Sequence, residues 1–291
     1  MTVRRYLQLD VFADRPGAGN PLGVVFDAAD MDGDTMQAYA AWANLSETIF
    51  FLPPASAEAD YRVRIFTPRQ ELPFAGHPSV GAAWAALDSG LAQAKEGFLV
   101  QECAAGLLPV RIEQRDATRL VHVRAPQARE VATGNVHAEA LASALRGLPP
   151  GKLVPALWNN GPNWWLVELA DAAAVRGMRP DLPAIAALTA ASNAVGLAVF
   201  GRADGPDHDL AVRAYCPADG IPEDPVTGSA NASIAALLHH AGASPLADGR
   251  YIASQGREMG RDGRVEVQVD RGNEVWIGGQ VQAVIRGSVD W

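Results

Sequence analysis

The chain has 291 residues, 48% hydrophobic and 20% charged, and carries a formal net charge of −9. That length exceeds what a single hydrophobic core usually serves, so two domains are the starting expectation. The acidic balance excludes an extended phosphate-binding face, Arg4-Arg5 being too short a basic run to supply one, and no nucleic-acid partner is expected.

In chain order, residues 5–12 mix alternation with β-formers and predict a strand, followed by a Pro/Gly-rich turn at 14–21 and a paired strand at 22–26. Asp34 is placed to cap a helix reaching Ala43. Asn44-Leu-Ser-Glu47 then forms a short polar exit before the apolar strand 48–52, closed by Pro53-Pro54. Residues 61–66 predict a strand, and the Ala-rich 78–87, ending at Gly90, a buried helix. The same grammar predicts strands at 108–113, 120–123, 153–157, 164–169, 195–200 and 210–215, with helices near 138–146, 182–191 and 230–240. The tail reads as antiparallel strands at 265–269, 274–277 and 281–289, giving a mixed α/β pattern throughout.

No apolar run approaches the roughly 20 residues of a membrane-spanning helix, and the N-terminus lacks the apolar core of a signal peptide. A cytoplasmic protein without a membrane partner is expected. Cys103 and Cys216 have no C-x-x-C neighbour, so two buried reduced thiols are expected rather than a disulfide or zinc site. His239-His240 closes a predicted helix, where imidazoles favour the dipole, and no metal site is expected.

One internal match stands out. Val63-Arg-Ile-Phe-Thr-Pro68 is followed by Leu72-Pro73, and Val212-Arg-Ala-Tyr-Cys-Pro217 by Ile221-Pro222 at the same spacing. Downstream, Gly76-His77-Pro78 opens one Ala-rich helix and Gly228-Ser229-Ala230 another. Unpaired N–H groups at such helix starts favour an anion, and two of them facing each other would hold a carboxylate. The fingerprints G-x-G-x-x-G and G-x-x-x-x-G-K-[ST] are absent, so a small acid is expected as substrate and no nucleotide cofactor.

Six ordered blocks then carry a resemblance: Asp10-Val-Phe, Gly19-Asn-Pro-Leu22, Asn44-Leu-Ser-Glu-Thr48, Phe66-Thr-Pro, Leu72-Pro-Phe-Ala-Gly-His-Pro78 and Glu223-Asp-Pro-Val-Thr-Gly-Ser-Ala230. Together they resemble the PhzF phenazine-biosynthesis family. The resemblance implies a diaminopimelate-epimerase-like α/β (α+β) fold: two similar lobes, each a curved mixed or antiparallel sheet wrapped around a central helix, with the active site in the cleft between them. It further implies an N-terminal lobe of residues 1–116 plus a strand at about 279–291, a C-terminal lobe of 117–278, and a homodimer.

Carried over residue by residue, the resemblance makes Glu47 the catalytic acid/base, with His77, Asp224 and Ser229 binding substrate, amides at Gly76 and Gly228 stabilising its charge, and Asn20 a further lining residue. Related epimerases present a cysteine pair at the two helix starts; here both positions are glycine, which favours proton transfer by one carboxyl group. That role calls for a Glu47 partly desolvated, with its pKa raised. The implied function is a cofactor-independent isomerase of a small carboxylated metabolite resembling trans-2,3-dihydro-3-hydroxyanthranilate. An amino-acid epimerase or racemase, and a non-catalytic metabolite-binding protein, remain open beside it. The residues themselves also suit structural roles: Glu47 a strand-entry carboxylate, His77 a loop residue, Asp224 an Asx-turn former, Ser229 an N-cap. The stretch Trp158-Asn-Asn-Gly-Pro-Asn-Trp-Trp165 is a further candidate for the cleft lining, although its tryptophans read as core or interface packing.

Overall fold

The computed structural model describes residues 2–245 and 248–291; Met1, Leu246 and Ala247 lie outside the description. The chain divides into two compact units, Met1–Arg124 with Gly278–Trp291, and Ala125–Ile277.

The first unit comprises β1 (Val3–Val11), β2 (Asn20–Val25), α1 (Gly33–Ala43), β3 (Glu47–Leu52), β4 (Tyr61–Phe66), β5 (Glu71–Leu72), α2 (Gly76–Asp88), β6 (Phe98–Cys103), β7 (Gly106–Arg115) and β8 (Thr118–Arg124), together with the C-terminal strand Val281–Asp290. β1 pairs antiparallel with both β2 and the C-terminal strand. β2 runs parallel to β3, β3 antiparallel to β4, and β4 antiparallel to β5 and parallel to β6. Ten of the thirteen residues of α2 are buried, and it contacts β1, β2, β3, β4, β6 and β8, so the sheet curves around it. Small Ala and Gly side chains allow that close approach: a Cβ on Gly81 would come 2.3 Å from the Leu22 side chain. On the other face of the sheet, Met36, Tyr39 and Ala40 of α1 bury against Val25, Phe50 and Phe66.

Two expectations shift here. The cap of α1 is Asp32, whose carboxylate accepts from Thr35 N at 2.8 Å, while Asp34 stands inside the first turn, where its charge suits the helix dipole. β8 folds back on β7 through a tight turn with Asp116 at φ 54°, so this hairpin stays in the first unit and the division falls after Arg124, not after residue 116.

The second unit contains β9 (Arg129–Thr133), α3 (Ala138–Ala144), β10 (Ala156–Asn159), β11 (Asn163–Glu168), α4 (Ala172–Gly177), α5 (Leu182–Ser192), β12 (Gly196–Arg202), β13 (Leu210–Cys216), β14 (Ile221–Asp224), α6 (Gly228–His240), β15 (Arg250–Gln255), β16 (Gly263–Val269) and the first three residues of β17 (Val275–Gly279). The pairing order repeats that of the first unit: β11 parallel to β12, β12 antiparallel to β13, β13 antiparallel to β14 and parallel to β15. α6 is the counterpart of α2, again thirteen residues and mostly buried, and contacts β10, β11 and β16. α3, α4 and α5 cover the opposite face through Leu141, Val175, Ile185 and Leu188, which pack around Trp165 and Tyr215.

The strand expected at 153–157 begins instead at Ala156. Pro155 has no N–H for a ladder, and the amides of Lys152 and Leu153 bond the Glu168 carboxylate at 2.7 and 2.9 Å. Both cysteines are free and buried, as expected.

Candidate active site

In the first unit, Glu47 opens β3, one residue past the turn that follows the α1 cap. Asn44 takes the left-handed conformation at φ 52°, its amide bonds the Ala40 carbonyl, and the chain turns sharply into the strand. Glu47 is paired with Leu22 of β2. His77, the second residue of α2, is buried and places Nε2 3.4 Å from Glu47 Oε2. Asn20 opens β2 at 1% exposure, paired with Val11. Its position is fixed by Gly19, whose amide donates to Asp10 Oδ2 at 3.1 Å and whose hydrogen faces the Val11 carbonyl where no Cβ would fit.

Burial pushes the His77 pKa down to about 3, with the Pro21 carbonyl acting weakly the other way. The imidazole is therefore neutral at physiological pH. A carbonyl only accepts, so the ring nitrogen bonded to Pro21 carries the single proton. Nε2 then presents a lone pair towards Glu47 Oε2. This arrangement leaves Glu47 facing a neutral partner, not a fixed cation.

The second unit furnishes its own helix start differently. Thr227 is the N-cap residue of α6, not Ser229, which is the helix's second residue and remains partly exposed. Ser229 Oγ accepts from Trp164 Nε1 at 3.0 Å, and the Ser229 carbonyl accepts from Asn160 Nδ2 at 2.9 Å. Asp224 ends β14, and its Oδ2 accepts from Thr227 Oγ1 at 2.5 Å. That hydroxyl accepts in turn from Gln255 Nε2 at 2.9 Å, which fixes the direction of its proton. The wholly buried Gln255 also donates to the Asp224 carbonyl at 2.9 Å and accepts from Thr227 N and Asn231 Nδ2. One amide thus holds the whole segment from Asp224 to the helix start.

Neither α2 nor α6 has a side-chain cap bond at its start, and Gly76 and Gly228 are both buried first residues of their helices. The geometry gathers Glu47, His77, Asn20 and Gly76 in the first unit and Asp224, Ser229 and Gly228 in the second. Trp164 and Asn160 belong to the 158–165 stretch and Thr227 to the 223–230 block that the sequence singled out, though their bonds to Ser229 and Asp224 were not readable there; Gln255 is an addition for which the sequence holds no signal. Among the described residues no group of three or more His, Cys, Asp or Glu side chains is placed to hold a metal ion, and no helix is long and apolar enough to cross a membrane.

The repeated pairing exposes one asymmetry. Glu47 follows the left-handed Asn44 by three positions, and Gly196 follows the left-handed Asn193 by three. Both residues open the strand parallel to the preceding one, Glu47 opposite Leu22 and Gly196 opposite Trp164. A Cβ on Gly196 would lie 2.4 Å from the Trp164 ring and 2.6 Å from the Tyr215 carbonyl. The counterpart of Glu47 therefore carries no side chain, and an indole fills its place.

The family model described as phenazine biosynthesis-like protein matches residues 9–287. The chain is 32% identical to antisense-enhancing sequence 1 of Schizosaccharomyces pombe, covering 99% of each chain. It is 36% identical to an uncharacterized isomerase of Deinococcus radiodurans (93% of this chain, 89% of the relative). It is 34% identical to trans-2,3-dihydro-3-hydroxyanthranilate isomerase of Pseudomonas aeruginosa (94% and 92%). The crystal structure of a PhzF-family phenazine biosynthesis protein from Bacillus anthracis superposes with a TM-score of 0.81 at 26% identity over the full length of both chains. A hydroxyproline epimerase from Agrobacterium vitis shares the fold alone, with a TM-score of 0.65 at 17% identity over 99% of this chain and 91% of that one. The chain belongs to the phenazine biosynthesis-like family and is an isomerase of the PhzF type.

Proposed function

We propose that the protein isomerises a small carboxylated metabolite, of the trans-2,3-dihydro-3-hydroxyanthranilate type, by proton transfer through the single carboxyl group of Glu47. The observation that carries this reading is the Glu47 Oε2 to His77 Nε2 pair at 3.4 Å, set where the neighbouring helix start offers glycine and no thiol.

As carboxylate, Glu47 removes a proton from one substrate carbon; as carboxylic acid, it returns that proton to another carbon on the same face. The unprotonated His77 Nε2 accepts from the carboxylic acid while it holds the proton, so the intermediate state is stabilised without creating an ion pair. Ser229 and Asp224 supply the polar contacts that orient the substrate. Backbone amides at the start of α2 stabilise negative charge that develops on the substrate during transfer. The relative from Pseudomonas aeruginosa, at 34% identity, supports the substrate class. Glycine at positions 76 and 228 counts against stereoinversion between two thiols, and Gly196 leaves the second unit without a counterpart of Glu47.

Glu47→Gln is isosteric and tests the assignment. The variant is expected to unfold at the wild-type temperature, to bind anthranilate as an acidic analogue, and to lose turnover of trans-2,3-dihydro-3-hydroxyanthranilate by about 10³-fold or more. Turnover within tenfold of wild type would remove Glu47 from the acid/base role. Wild type and variant both binding without turnover across a panel of cyclic diene and amino acids would instead favour a metabolite-binding protein.

A further inference from the structure

We infer that Trp164 is a positioning residue that orients the Ser229 hydroxyl: by occupying one of its lone pairs it turns the proton away from the indole and offers it to an acceptor group, a carboxylate oxygen, at the start of α6. The inference rests on the reading of Ser229 as a substrate-binding residue and adds the reason that it would favour one ligand chemistry.

An indole N–H can only donate. Trp164 Nε1 lies 3.0 Å from Ser229 Oγ, so the serine oxygen is the acceptor in that bond and its own proton must be directed elsewhere. Asn160 Nδ2 holds the Ser229 carbonyl at 2.9 Å, which fixes the backbone from which the hydroxyl projects. Trp164 itself has little freedom: it is 3% exposed, and its ring lies over the position where Gly196 has no side chain. Any larger residue at 196 would displace the indole. Ser229 is partly exposed, so its donated proton is available to a ligand, whereas Trp164 is not. In the first unit the residue at the same point of its helix is His77, whose polarity is also preset, by the Pro21 carbonyl, but in the sense of an acceptor towards Glu47. The two helix starts are thus set with opposite hydrogen-bonding sense, one to take a proton and the other to offer one.

Trp164→Phe keeps a buried aromatic ring and removes the indole donor, leaving the direction of the Ser229 proton unset. Two readouts test the inference. In the first, the indole ¹H–¹⁵N resonance that Trp164→Phe deletes is identified, and Ser229→Ala is expected to shift it; an unmoved resonance overturns the proposal whatever the substrate is. In the second, dissociation constants are measured for anthranilate and for 2-aminobenzamide, which replaces one carboxylate oxygen by a donor. Wild type should favour the acid, Trp164→Phe should reduce that preference by about tenfold, the worth of one charge-assisted bond, and the effect should vanish in a Ser229→Ala background. A preference unchanged by Trp164→Phe, or a change that persists in Ser229→Ala, would show Trp164 to be packing alone. Failure of wild type to bind either compound would count against the isomerase reading, while the indole resonance would still decide the Trp164–Ser229 bond.

Discussion

The neutral His77 costs the protein stability in acid. Its folded pKa, near 3, lies below the ordinary value of 6.5, so the unfolded chain binds a proton that the folded chain refuses. The contribution is complete above about pH 6.5 and is lost progressively as the pH falls towards 3. Urea unfolding at pH 7.5, 5.5 and 4.5 is expected to show wild type losing stability more steeply than His77→Gln, which has no group to protonate there; parallel losses would mean that His77 is already charged in the fold. At this scale, Glu47, His77, Asp224 and Ser229 were legible because each stands within a short ordered block of polar residues, glycine and proline. Gln255 was not, and the bond from Trp164 to Ser229 was not although the 158–165 stretch itself stands out, because these partners are 28 and 65 residues apart and only the folded register brings them together.

Among elements, the repeated strand and proline-rich loop carry a matched pair of ion pairs. Arg64 grips Glu71 with two bonds of 2.7 and 2.6 Å, and Arg213 grips Glu223 with two of 2.8 Å. The recurrence of Val-Arg at 63–64 and 212–213 in the sequence pointed to this repeat. The environments differ, with side-chain exposures of 27% and 34% in the first pair against 6% and 13% in the second. Glu223→Ala is therefore expected to cost about 3 kcal/mol, because it leaves Arg213 buried and undercompensated. Glu71→Ala should cost less than about 1 kcal/mol. Thermal unfolding of the two variants checks the order, and equal losses would contradict it. α2 and α6 were readable from alanine runs opened by glycine. β15 was missed because Ser254 and Gln255, both fully buried, break the apolar alternation, and β9 because nearly all of it is exposed.

For the whole molecule, one succession of strands and helices occurs twice, but only one copy carries the carboxylate. A sequence comparison finds the repeated arginine, prolines and helix-opening glycines; it does not reveal that Glu47 and Gly196 are counterparts, since that equivalence depends on strand register and on the left-handed Asn44 and Asn193. For the function proposed, the consequence is chemical: if Glu47 is the acid/base group, the proton taken from the substrate and the proton given back pass through the same carboxyl. The most direct test uses trans-2,3-dihydro-3-hydroxyanthranilate bearing deuterium at the carbon that loses its proton, in a single turnover in ordinary water. Transfer through Glu47 predicts that a measurable fraction of the product retains the deuterium at the carbon that gains a proton. Product in which that position carries only solvent hydrogen, with no label retained even in a single turnover, would contradict it.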